Sequence, residues 1–341
     1  MSYQPPFTIT PLMLTLVAEI SEAAGRLSAL AEIDSTLLLR RANRIRTVQG
    51  SLAIEGNTLS EAQITAILDG KRVMAPPREI QEVRNALQAY EQLHQWRYER
   101  EQDLLDAHGV LMRGLLDEVG QYRSGGVGVM AGDKVVHMAP GANQVKRLMA
   151  DLFAWLKASD IPPLIRSCVF HYEFEFIHPF SDGNGRMGRL WQTLILTRWQ
   201  PAFADLPVES LIHQRQAAYY QAIQSSTQRS DCAPFIEFML DTIAVTLREV
   251  LDSNAKTLNS DEKTRVEMQV ETRVQNRHKT PDQILALLRK QPELTLAEIA
   301  VILGRATSTI ERAVARLKQQ DRLRFQGPKK GGRWQVLDNK E

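Results

Sequence analysis

Apolar residues recur at three- and four-residue spacing along most of this chain, the period of a helix that buries one face. The pattern is clear in "LMLTLVAEISEAAGRLSAL" (12–30), "REIQEVRNALQAYEQLHQW" (78–96) and "QVKRLMADLFAWLKA" (144–158). It continues in "PPLIRSCVFHYEFEFI" (162–177) and "PFIEFMLDTIAVTLREVL" (234–251). Pro162 and Pro163 suit a helix start, and Pro179 suits a helix end. One stretch departs from this period. "VGVMAGDKVVHM" (127–138) carries two β-leaning runs around Gly132-Asp133 and predicts a lone hairpin. Such a hairpin is marginal alone and must pack on something. It is either a surface excursion or a clamp whose edge pairs with an incoming peptide.

Past Asp252 the pattern turns polar until about Thr280, and residues 253–280 are expected to form a connector. A compact pattern follows in 281–341: "PDQILALLRK", "LTLAEIAVILG" and "ATSTIERAVARLKQQ" predict three helices. Thr295 with Glu298, and Ser308 with Glu311, each fit a capping box, and Gly304 closes the middle helix. Two short helices across a tight turn are a helix-turn-helix pattern. "LRFQGPKKGGRWQVL" then reads as two strands of a wing. The fold class is therefore mainly α: a helical domain at 1–252 with a small hairpin, then a C-terminal winged helix-turn-helix domain. No tandem repeat is found.

Charge sharpens this division. Residues 281–341 hold twelve Lys/Arg against seven Asp/Glu, or +5, which leaves −3 of the overall +2 for residues 1–280. A basic module thus follows a mildly acidic body. Cys168 and Cys232 are far apart, with neither zinc spacing nor a disulfide framework, which suits a reducing compartment. The N-terminus lacks a basic region followed by an apolar run, and no apolar stretch reaches the length of a membrane span. A cytoplasmic protein without membrane attachment is the expectation.

The densest chemistry lies in "HPFSDGNGRMGR" (178–189), between the helix ending at Ile177 and a new one beginning near Arg186. Glycine and asparagine tolerate positive φ, so Gly183, Asn184 and Gly185 can turn backbone N–H groups toward one point. The next helix adds its free N–H groups and partial positive charge. Arg186 and Arg189 fall on one face of its first turn, where cations oppose the macrodipole unless an anion binds. Guanidinium forks match phosphate oxygens. Asp182 makes sense in this cationic nest if it holds Mg²⁺ against phosphates. His178 is the group able to accept a proton near neutral pH.

This stretch resembles the Fic-family signature H-x-F-x-[D/E]-G-N-G-x-x-x-R at every fixed position, and weaker similarity runs from Tyr122 to Phe238. The resemblance implies transfer of AMP from ATP to a Ser, Thr or Tyr hydroxyl of a target protein, the protein itself included, with release of pyrophosphate. It casts His178 as the base, Asp182 as the Mg²⁺ ligand, and Gly183, Asn184 and Gly185 as the phosphate cradle. Arg186 and Arg189 would hold phosphates, Phe180 would seat the loop, and the hairpin would align the target. Phosphorylating members carry lysine where this chain has Gly185, so AMP transfer is implied. One departure concerns the adenine: Thr227 stands about where many members carry an asparagine, which leaves base recognition open.

Gly56-Asn57 is a helix-stop signal, and Thr58 with Glu61 fits the next capping box. Glu55 then falls in the last turn of a helix at about 45–57, where a carboxylate meets the negative dipole end. Ser51-x-x-x-Glu55-Gly56 resembles the inhibitory motif [S/T]-x-x-x-E-[G/N] of self-inhibited Fic proteins. The resemblance implies that Glu55 pairs with Arg189 and obstructs the γ-phosphate. It is also compatible with a homodimer that stabilises the inhibitory helix, and with removal of AMP from a modified target.

The 281–341 region resembles winged helices generally. Arg312, Arg316 and Lys318 would face DNA, while docking of a protein is the other use of such a module. The competing function is a DNA-binding regulator whose Fic fold senses a nucleotide. His178 separates the two, since a sensor needs no base. "LDGKRV" is not a Walker A, and no H-E-x-x-H or paired-Cys site is present. Tyr219 and Tyr220 lie either near the nucleotide or in packing.

Overall fold

The computed structural model describes residues 3–30, 36–126, 128–131, 134–328 and 332–337. They form two compact units, Met1–Ala255 and Lys256–Glu341. In the first, α1 (Pro11–Leu30), α2 (Thr36–Ile54), α3 (Glu61–Leu68), α4 (Pro77–Glu91) and α5 (Glu101–Leu111) precede the hairpin of β1 (Gly128–Ala131) and β2 (Lys134–Met138). Then come α6 (Ala142–Ala158), α7 (Pro163–Ile177), α8 (Asn184–Trp199), α9 (Val208–Gln214), α10 (Gln216–Arg229) and α11 (Ala233–Lys290), whose residues beyond Ala255 belong to the second unit. Among the described residues no helix is long and apolar enough to cross a membrane.

The consecutive helices α7 and α8 form the centre. Nearly every residue of α7 is buried, including His171, Glu173 and Glu175, and so is α8 from Arg186 to Leu196. A helix enclosed on all sides loses the one-faced apolar stripe. Gly188 permits the close approach of the two, since a Cβ there would lie 2.8 Å from a ring carbon of His171 and 2.9 Å from Glu175 Oε1. The β1–β2 pair is antiparallel, with a register shift between Val129 and Met130. Its expected turn at Gly132-Asp133, and Val127, lie outside the described residues.

The end of α2 is a complete Schellman motif. Gly56 takes φ 91°, its N–H donates to Ala53 O at 3.0 Å, and the N–H of Asn57 reaches Leu52 O at 3.1 Å. Glu55 is thus the residue that caps α2, one position past Ile54 rather than within the last turn. The helix is also longer at its start than the expected 45–57. The next cap differs from expectation as well. Ser60 caps α3 in a capping box with Gln63, while the Thr58 hydroxyl donates to Glu79 Oε2 at 2.8 Å. Thr58 is drawn away by a carboxylate on α4, so the helix starts two residues later.

The second unit has its own core of Ile284, Leu288, Ile299, Ile310, Leu317 and Leu323, with Trp334 beside them. Residues 253–280, expected as a connector, are helical within α11, which also passes through the start expected at Pro281. The Thr295–Glu298 box caps α12 (Leu296–Ile302), and Gly304 follows it at φ 59°. The box at Ser308 does not form. Helix α13 (Thr307–Gln319) is entered through Ala306, which leaves Ser308 already inside it without the extended backbone a cap requires. Strands β3 (Leu323–Gln326) and β4 (Arg333–Val336) pair antiparallel, and Lys329 to Gly331 of the turn lie outside the described residues.

Helix α2 is held hard against α9. A Cβ at Gly50 would lie 2.5 Å from Ser210 N and 2.6 Å from Glu209 C, and the Ser210 hydroxyl donates to Arg46 O at 2.8 Å. Gly50→Ala is expected to destabilise the protein by about 1–3 kcal/mol, because backbone cannot yield as a side chain does. Gly25→Ala, with nothing within 4 Å of its Cβ, should instead stabilise by about 0.5–1 kcal/mol. Urea denaturation of both variants distinguishes a packing limit at Gly50 from a general intolerance of alanine.

Candidate active site

The loop between α7 and α8 begins with a strained residue. His178 takes φ 50° and ψ 61°, a left-handed conformation uncommon outside glycine. Arg123 holds it there. Its Nε donates to His178 O at 2.7 Å and its Nη2 to Ile177 O at 3.2 Å and Pro140 O at 2.6 Å. Nη1 reaches Gly125 O at 2.8 Å, and the Arg123 backbone N–H binds Pro179 O at 2.9 Å. A buried guanidinium thereby gathers carbonyls on both sides of the loop.

Phe180 anchors the next step. It is fully buried, and its ring stacks on His108 with centroids 3.7 Å apart and planes 7° from parallel. Asn184 clasps its backbone: Phe180 N–H donates to Asn184 Oδ1 at 2.8 Å, and Asn184 Nδ2 donates to Phe180 O at 2.9 Å. The Asn184 side chain therefore locks the loop and does not point outward as an anion donor. His108 receives the Gly120 N–H on Nδ1 at 2.9 Å, so Nε2 carries the proton that it donates to Asp182 O at 3.1 Å. Burial pushes the His108 pKa down to about 4, which suits this neutral form.

Helix α8 opens after Gly183, whose φ of 83° excludes most side chains. At its N-terminus sits a carboxylate. A Cβ at Gly185 would lie 2.5 Å from Glu55 Oε1, so Glu55 rests on the bare backbone of Gly185. The same oxygen accepts from Arg189 Nη2 at 2.7 Å. Arg189 also donates from Nε to Ser51 Oγ at 3.1 Å and from Nη2 to Ser51 O at 2.9 Å. Burial works against the Arg189 charge, but Glu55 outweighs it and holds the guanidinium above its ordinary value. Glu55 thus stands at the negative end of α2 and the positive end of α8, so the unfavourable field of the first is opposed by that of the second.

Arg186 is occupied too. Its Nη2 donates to Asp182 Oδ1 at 3.2 Å and its Nη1 lies 3.7 Å from Glu82 Oε1, while its buried Nε has no partner. Asp182 is partly exposed, takes the Gly183 N–H at 2.6 Å, and lies 3.6 Å from Arg78 Nη2. Glu82 also accepts from Asn57 Nδ2 at 2.9 Å, which links it to the turn that carries Glu55.

The sequence-predicted residues Ser51, Glu55, Gly56, His178, Asp182, Gly183, Asn184, Gly185, Arg186 and Arg189 therefore meet at one place. Thr227 is engaged elsewhere, sharing a hydrogen bond with the Tyr172 hydroxyl at 3.1 Å and donating to Ile223 O at 3.0 Å. Tyr219 is buried packing, with its hydroxyl 3.2 Å from His171 Nε2. Arg123, His108, Glu82 and Arg78 escaped the sequence reading. Their roles depend on contacts with distant segments, and no local spacing announces them.

A glycine-lined helix N-terminus with two arginines, a mouth carboxylate and an adjacent histidine has the chemistry to receive an anion of the phosphate type. The Fic/DOC family model matches residues 98–196. A Fic family protein of known crystal structure from Desulfovibrio desulfuricans G20 is 45% identical, with TM-score 0.72, covering 99% of this chain and 100% of that one. The chain belongs to the Fic family. It is also 30% identical over 236 residues to the protein adenylyltransferase Fic of Culex quinquefasciatus, covering 65% of this chain and 44% of that protein. The Aedes aegypti counterpart is 29% identical over 230 residues, covering 63% and 44%. The chain thus spans less than half the length of these curated relatives. Fic-1 (residues 134–508) from C. elegans shares the fold at TM-score 0.58 and 22% identity, over 72% of this chain and 73% of that one.

The neutral His108 makes stability pH-dependent. Its folded pKa of about 4 lies below the ordinary 6.5, so the unfolded chain takes up the proton first as pH falls. Its contribution is complete above pH 6.5 and is lost as pH drops toward 4, by up to about 3 kcal/mol. Urea unfolding of wild type and His108→Gln across this window should show a shallower slope in the variant. Equal slopes would contradict a neutral His108.

Proposed function

We propose that the protein is a self-inhibited adenylyltransferase that transfers AMP from ATP to a protein hydroxyl. The observation that carries this reading is the Glu55 carboxylate, seated on Gly185 and paired with Arg189 where a phosphate oxygen would bind. With Glu55 withdrawn, the backbone N–H groups that open α8, together with Arg186 and Arg189, receive the phosphates of ATP. His178 accepts the proton of the target hydroxyl on Nε2, the hydroxyl oxygen bonds to the α-phosphorus, and the bond to the β-phosphate breaks. AMP remains on the target and pyrophosphate leaves.

Among the described residues no three His, Cys, Asp or Glu side chains cluster as a metal site. Asp182 alone suits a cation shared with phosphates, because Mg²⁺ is commonly held by one or two carboxylates plus substrate oxygens. Asp182 would hold Mg²⁺, which would neutralise phosphate charge there. Glu55 inhibits by supplying the negative charge that Arg189 requires. The same carboxylate near bound water would also serve removal of AMP from a modified target.

The second unit is read as a winged helix-turn-helix module for docking DNA or protein. Its basic side chains are partly self-engaged: Arg312 Nε donates to Ser308 O at 3.1 Å, and Lys318 Nζ lies 5.0 Å from the Trp334 ring centroid.

ATP labelled on the α-phosphate, Mg²⁺ and a cell lysate test the reading. Glu55→Gly should raise protein labelling at least about tenfold over wild type. His178→Ala added to it should lower labelling about 100-fold or more, the usual scale of general-base catalysis. Equal, background labelling in all three would overturn AMP transfer as the function.

A further inference from the structure

Behind the loop, two imidazoles flank a carboxylate: His171 and Glu175 on adjoining turns of α7, and His178 at its C-cap. Glu175 lies between them, with Oε2 3.8 Å from His178 Nδ1 and Oε1 3.8 Å from His171 Nε2. The carboxylate is buried at 6% exposure. The two histidines differ in what else they touch. His171 is already served on both nitrogens, by Gln192 Oε1 at 2.6 Å from Nδ1 and by the Tyr219 hydroxyl at 3.2 Å from Nε2. His178 Nδ1 is buried with no hydrogen-bond partner, and the acceptor that faces it is Glu175 Oε2; Glu175 Oε1, also buried and unpartnered, faces His171 instead. A buried donor nitrogen without a partner carries a desolvation penalty, and Oε2 is the carboxylate oxygen placed to meet it.

The backbone fixes where the His178 ring can go. Arg123 grips Ile177 O and His178 O, and its own N–H grips Pro179 O. The ring keeps 15% of its side-chain surface exposed, none of it through Nδ1. The inner nitrogen therefore faces Glu175, and the outer edge faces solvent. The bare Cα of Gly188 leaves the carboxylate its space.

We propose that Glu175 is a positioning residue for His178: its carboxylate takes the Nδ1–H of the imidazole, which leaves the lone pair on Nε2 for the target hydroxyl. The proposal rests on the AMP-transfer reading, in which His178 is the base. A closure of less than 1 Å from 3.8 Å brings the pair to hydrogen-bond distance. Proton transfer then runs from hydroxyl oxygen to Nε2, and the resulting imidazolium is stabilised by Glu175. Although burial pushes the Glu175 carboxyl up, His171, His178 and Arg189 together hold it below the usual range, so it stays ionised. Tyr219 and Tyr220 also face it from α10, and burial keeps both as neutral phenols.

The test is long-range ¹H–¹⁵N NMR of the full-length chain, with His178→Ala assigning one of its seven histidines. The native protein should show neutral His178 protonated on Nδ1. Glu175→Gln, nearly isosteric, should weaken the preference for that tautomer, because a neutral acceptor replaces a charged one. An Nε2–H tautomer in the native protein, or an unchanged tautomer ratio in folded Glu175→Gln, would overturn the proposal. In the Glu55→Gly background, Glu175→Gln should reduce the transfer rate at saturating ATP about tenfold with ATP affinity within about twofold. Glu175→Asp should recover part of the rate. A loss confined to ATP affinity would contradict a positioning role. Because the NMR readout needs no turnover, an inactive Glu55→Gly parent would defeat AMP transfer and still leave the Glu175–His178 pairing decided.

Discussion

The ion pair between Glu55 and Arg189 is the interaction on which the arrangement of the site depends. Arg189 is almost completely buried, and a buried guanidinium without a counter-charge carries a penalty of several kcal/mol. Ser51 supplies neutral acceptors, and the Glu55 carboxylate meets the charge. That carboxylate sits at the N-terminus of α8, where the helix field favours any anion.

The rest of the first unit holds Glu55 to that point. The Schellman end of α2 sets its backbone, Gly50 lets α2 sit directly on α9, and Gln216 Nε2 donates to Ile54 O at 2.9 Å. The loop on the other side is equally constrained. Arg123 from below, His108 stacked on Phe180, and the Asn184 clasp hold His178 in a left-handed conformation that it would not adopt alone. The loop and the start of α8 are therefore held in place by the protein's own contacts. Glu82, bonded to Asn57 and close to Arg186, extends the same charge logic to the second arginine.

Much of this was legible in the sequence, for physical reasons that differ by element. The loop could be read because its residues have few other uses: glycines for positive φ, and arginines where the dipole disfavours them. The Gly56 stop could be read because a left-handed cap is a local requirement. The cap at Thr58 was misread because two hydroxyl residues stood in competition, and a glutamate 21 residues away decided between them. Ser308 failed similarly, since α13 starts before it. His108, Arg123 and Glu82 were invisible because their partners come from other helices, and no periodicity encodes such contacts. Glu175 looked like one more polar residue in a helix whose burial on all sides erases any face.

The most direct measurement of the central claim is a crystal structure of Glu55→Gly with Mg²⁺ and a non-hydrolysable ATP analogue. The account predicts a phosphate oxygen in the place of Glu55 Oε1, over Gly185 and within hydrogen-bonding distance of Arg189. Phosphates bound elsewhere, with Arg189 left to Ser51 alone, would contradict it.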